Sequence, residues 1–148
     1  MNITDWIGVI AIMATGYIAW TEWQRAKRAE SKQLREPAIA ALKLIDRTIG
    51  QLRGVIDAKT DTEADAELVF AKRWAERGQV AAHRIAAIPV PDADLILVLQ
   101  DVASGIENVA TVLAKVPEAN ETARKQACEN RIRELELYRQ SLVGFASI

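Results

Sequence analysis

The chain has 148 residues, the length of one ordinary domain, and a formal net charge of −1. Nineteen basic residues stand against 20 acidic ones, so the basic footprint of a nucleic-acid binder is missing. One cysteine, Cys128, excludes an intramolecular disulfide framework and fits a cytoplasmic domain.

The first element is the run from Trp6 to Trp23, which carries no charge from Trp6 through Thr21. As a helix these uncharged residues span roughly 24 Å, short against a hydrocarbon core of about 30 Å. The flanks supply the rest of the signal. Trp6 marks one end and Tyr17, Trp20 and Trp23 the other, the spacing of two interfacial aromatic belts. Residues 1–23 are therefore expected to be a single-pass membrane anchor. The competing reading is a buried core helix of a soluble protein. Gly8, Ala11, Thr15 and Ala19 fall on one helical face at steps of three and four, a helix-packing stripe through which spans approach closely.

Residues 24–36 are good helix formers without a wide apolar face, and are expected to form a juxtamembrane basic stalk. Arg25, Lys27, Arg28, Lys32 and Arg35 follow the span directly, whereas Asp5 is the charged side chain before it. Basic residues next to a span stay on the cytoplasmic side. This predicts the inner (cytoplasmic) membrane of a bacterium, with the N-terminus outside and the remainder inside. The same five side chains are placed for lipid-headgroup contact. A reversed, envelope-type topology is the third reading, and these basic residues argue against it.

Residues 37–148 are expected to form a cytoplasmic helical bundle. Five of the 19 basic and three of the 20 acidic residues precede position 36, which leaves this part nearly balanced in charge. Aromatic residues make up 5% of the chain, and half of them lie in the anchor, so the core must be built from Ala, Leu, Ile and Val. Pro37 is expected to end or kink the preceding helix, or to open the next one. Leu42, Ile45, Ile49, Leu52 and Ile56 then step by three and four, a core-facing stripe. Thr60 and Glu63 fit a capping box. The helix they open carries a narrow stripe of Leu68, Ala71, Ala75, Gly78, Ala82 and Ile85, flanked by Phe70, Trp74 and Ala81, with a break expected near Gly78.

Pro89 and Pro91 stop that helix. Asp92 or Asp94 caps the next, which carries Leu99, Val102, Ile106, Val109 and Leu113 and is expected at the centre of the bundle. Pro117 marks a further turn. Asn120 caps a last helix to about Val143, with Gly144 as its stop and Leu135, Tyr138 and Leu142 on its inner face. The fold class is all-α: an N-terminal single transmembrane helix followed by a four-helix up-down bundle.

The chemistry is sparse. One histidine and one cysteine, far apart, give no metal site, and phosphate-binding, dinucleotide-binding and nucleophile-elbow motifs are absent. No cofactor, metal or nucleic-acid partner is expected. Arg77 and His83 lie on one predicted helix in RGQVAAH. An Arg-x(4–6)-His pair in a helical bundle resembles the HEPN ribonuclease superfamily, and the resemblance implies that the two side chains, contributed by two protomers, act on an RNA phosphodiester. Gly78 stands where that family often has a polar residue. The leading functional expectation is non-enzymatic: a membrane-anchored scaffold or interaction module, partnered by the bilayer and by its own copies or a membrane protein. The alternative is an effector at the membrane, either a pore-forming oligomer or a nuclease using Arg77 and His83.

Overall fold

In a computed structural model of the protein, the backbone is described for residues 3–116 and 120–147, and side chains from residue 12 onward within those ranges. The described residues form four α-helices and no strand: α1 (Ile3–Asp57), α2 (Asp61–Ala86), α3 (Ala93–Lys115) and α4 (Glu121–Ala146). The chain divides into two compact units, Met1–Gln33 and Leu34–Ile148.

Helix α1 runs from the expected anchor through the stalk, which was expected to continue it, and passes through Pro37 into the first bundle segment without ending there. Proline lacks an N–H, so the Gln33 carbonyl has no donor four residues on; an interior proline typically costs about 3 kcal/mol. The boundary between the two units falls at this carbonyl. Burial offsets the loss: Pro37 is buried, and Ala38 and Ala41 are fully so.

In the second unit, the C-terminal part of α1 packs with α2, α3 and α4 around one aliphatic core. Ile45 and Leu52 from α1, Leu99 and Ile106 from α3, and Leu135 and Leu142 from α4 are all at or below 1% exposure. Burying each such side chain contributes about 1.5–3 kcal/mol. Helix α2 brings small residues to the same core, Ala71, Ala75, Gly78 and Ala82, and this allows its backbone close to its neighbours. A Cβ at Gly78 would lie 3.5 Å from Ile106 Cγ2 and 3.7 Å from Leu44 Cδ1, so Gly78 sits between α1 and α3 inside an unbroken helix. The break expected there is absent, because a buried glycine flanked by good helix formers keeps its ladder.

Contacts fix the order of the helices round the core. On α1, Leu44, Thr48 and Gly54 meet Gly78, Trp74 and Glu67 of α2, so the two run in opposite directions. Helix α3 packs on α2 and on α4. Helix α4 returns to α1 through Arg139–Asp46 at 2.7 Å and Arg53–Glu136 at 3.1 Å. One buried polar group is satisfied twice: Thr48 Oγ1 donates to the Leu44 carbonyl and accepts from Trp74 Nε1 at 3.2 Å.

The caps follow local sequence. Thr60 Oγ1 accepts from the Glu63 N–H, Asp92 Oδ1 from the Leu95 N–H and Asn120 Oδ1 from the Ala123 N–H. The Glu63 carboxylate reaches back one residue beyond the cap, to the Lys59 N–H at 2.9 Å. Two expectations need correction. Phe70 does not widen the inner stripe of α2; it is 60% exposed. Helix α4 does not stop at Gly144 but continues to Ala146, since the aliphatic and aromatic side chains beyond the glycine still pack on the core. Tyr138 lies on the inner face of α4 as expected, half-buried and packed against the core, with its hydroxyl donating to Glu134 at 3.0 Å. The turn expected at Pro117 lies outside the described residues.

Among the described residues, one helix is long and apolar enough to cross a membrane, and it is α3, in the middle of the chain. Its apolar stripe, Leu95, Leu99, Val102, Ile106, Val109 and Leu113, is buried in the core.

Candidate functional site

The first unit is a helix surface. Ile12, Met13, Tyr17, Ile18, Trp20 and Trp23 are each more than half exposed on it. The Tyr17 and Trp20 rings lie 6.3 Å apart, and Lys27 Nζ sits 5.3 Å from the Trp23 ring centroid. A cation over an indole keeps its charge while the ring covers its stem. Arg25 pairs with Glu22 at 2.8 Å, so one of the five basic side chains is locally neutralised. Lys27, Arg28 and Lys32, with Gln24 and Ser31, line an open groove of about 410 Å³ along the helix; Arg35 is exposed one turn on. Of the expected packing face, Thr15 and Ala19 are exposed, and nothing lies within 4 Å of where a Gly16 Cβ would stand. The side chains of Trp6, Gly8 and Ala11 lie outside the described residues.

In the second unit, Arg77 and His83 are separated by geometry. Six residues at about 100° each turn the two side chains far apart round α2. Arg77 lines a cleft of about 270 Å³ with Gln51, Phe70, Arg73 and Trp74, on the α1 side of the helix. His83 faces α3, where Nε2 lies 3.6 Å from Glu107 Oε2 with both side chains half-exposed. Within one chain they do not converge on a common point.

A cleft of about 460 Å³ lies between α1 and α4 and includes Asp46, Gly50, Arg53, Glu136 and Arg139. Its charges are consumed in the two inter-helix pairs already described, so it holds no free acid, base or cation for chemistry. Sequence reading missed this cleft because its pairs join positions 83 and 93 residues apart. Cys128 is buried in the core; burial pushes its thiol above the usual cysteine range, against the pull of nearby Arg124, which is the opposite of an activated nucleophile. Burial likewise raises the Tyr138 phenol, helped by its hydrogen bond to Glu134. Among the described residues, no three His, Cys, Asp or Glu side chains gather where a metal could be held.

The α1–α2 side is different. Arg47 lies over the Trp74 ring, 5.8 Å from its centroid, and Arg73, Arg77 and Arg84 of α2 take part in no ion pair among the described residues. No protein-family model, curated protein or solved structure matches this chain.

Proposed function

We propose that this chain is a non-enzymatic, membrane-anchored helical module that self-associates or tethers a partner at the inner membrane. The single observation that carries the reading is the exposed apolar surface of α1 from Ile12 to Trp23, in a stretch free of charge from Trp6 to Thr21. A soluble helix leaves such a surface in water only at a cost of roughly 25 cal/mol per Å². A bilayer removes that cost, and the Tyr and Trp rings with Lys27 and Arg28 behind them suit its headgroup layer. Helix α3 is no competitor for the span, because its apolar side already serves the core.

The basic residues after the run support an orientation with the bundle in the cytoplasm. A reporter enzyme that works only in the cytoplasm, fused after Ile148, tests the topology. Activity there, with silence from an N-terminal fusion, supports the proposal; the reverse pattern contradicts it.

A further inference from the structure

Helix α2 carries a second stripe outside the core. Phe70, Arg73, Arg77, Val80 and Arg84 step by three and four, the seam spacing of a helix packed against another helix. Phe70 is 60% and Val80 53% exposed. The stripe leans toward α1, where Arg47 adds a further cation; Asp65 and Glu76 lie on the next sector round the helix, away from α1. Two copies of this face cannot meet symmetrically, because arginine would oppose arginine. The occupant must be acidic, helical and apolar at one position between its acids.

The chain contains such a helix surface. On α3, Asp94, Leu97, Asp101, Ser104 and Asn108 step by three and four and are all exposed, Leu97 by 59%. Neither aspartate is in an ion pair among the described residues. Asp101 leans toward α4, close enough for its charge to act on Tyr138. Arg77, Val80 and Arg84 are spaced three and four residues apart; so are Asp94, Leu97 and Asp101. In both helices the charges stand about 10 Å apart with the apolar residue between them. Within one chain these stripes lean to opposite sides, α2 toward α1 and α3 toward α4, so they are available to different neighbours.

The geometry points to a head-to-tail contact between copies of this chain, with the Arg77–Val80–Arg84 stripe of α2 seated on the Asp94–Leu97–Asp101 stripe of α3 in the next copy. This names the surface behind the self-association proposed above and rests on that reading. A contact of two different faces does not close on itself at a dimer, so copies add in a row or ring.

The test uses the full chain in mild detergent, with mass measured at low and high salt. The wild type forms assemblies larger than a dimer that shrink as salt rises. R77E/R84E and D94K/D101K each weaken assembly at least about tenfold. Mixing the two variants restores the larger species, because the native Arg face of one meets the native Asp face of the other and the introduced Glu face meets the introduced Lys face; combining all four reversals in one chain restores it likewise. Unchanged circular dichroism melting in each variant shows that the fold is intact. Assemblies unaffected by either reversal overturn the contact while leaving association through the anchor standing. Assembly lost in the arginine variant but kept in the aspartate variant assigns the arginines to a different acidic protein, and also overturns it. A chain that never leaves the monomer refutes both this contact and self-association itself.

Discussion

The two parts of α1 are the most instructive contrast in the molecule. Residues 12–23 and 38–55 belong to one helix and both are rich in apolar side chains, yet Ile12, Ile18 and Trp20 are more than half exposed while Ile45, Leu52 and Val55 are at or below 1%. The difference lies in what each stretch finds beside it. From Leu34 on, α2, α3 and α4 supply a core; before Gln33 no other helix shares the unit. Periodicity differs accordingly. The buried part is apolar on one side and charged on the other, as with Lys43, Asp46 and Arg47, whereas residues 12–21 carry no charge on any side.

The largest effects should therefore separate the two stretches. Leu135→Ala, or Ile106→Ala, removes a side chain from the filled core and should cost about 2–5 kcal/mol in thermal or denaturant unfolding of the full chain in detergent. Ile18→Ala, by contrast, should leave that transition in place. If Ile18→Ala melts the bundle as Leu135→Ala does, the exposed stretch serves the core after all.

Two glycines sharpen the comparison inside the bundle. At Gly105 an added Cβ would stand 2.7 Å from Tyr138 Cε2, so Gly105→Ala must displace the Tyr138 ring and should cost about 1–3 kcal/mol. At Gly78 the nearest atoms are at ordinary contact distance, so Gly78→Ala should stabilise by about 0.5–1 kcal/mol through helix propensity alone. Unfolding midpoints that move in the same direction for both would refute the packing described for α2 and α3.

Similar in size to the Gly105 effect is the loss of the buried hydroxyl of Thr48. Thr48→Val leaves the Trp74 indole N–H without its acceptor and should cost about 1–3 kcal/mol, with a change in Trp74 emission as the confirming signal. Smallest is the exposed pair between α1 and α4: Arg139→Ala should cost about 0–1 kcal/mol and less still at high salt. A loss of several kcal/mol there would mean that the cleft does more than hold two helices together.

Much of this fold was legible because its signals are local. Thr60, Asp92 and Asn120 cap the helices they were expected to cap, since a capping side chain needs only residues three positions away. The stripe from Leu99 to Leu113 is buried as its spacing required. What could not be read was set by neighbours. Phe70 and Trp74 look alike in sequence, but Trp74 turns toward Thr48 and Phe70 toward water. Pro37 reads as a stop; the helix continues because the core rewards burying the residues beyond it. Arg77 and His83 face different neighbours within one chain, because six residues of helix lie between them. The arginine stripe was passed over for the same reason: its heptad spacing emerges only once the true inner face of α2 is known.

The central claim is that the exposed apolar surface of α1 lies in a bilayer, and alkaline carbonate extraction of cell membranes tests it most directly. The wild-type chain should stay in the membrane pellet, while Ile12→Lys combined with Ile18→Lys should move it to the supernatant with its bundle still folded. Wild-type protein released by carbonate, or a lysine variant retained as firmly as the wild type, would contradict the account.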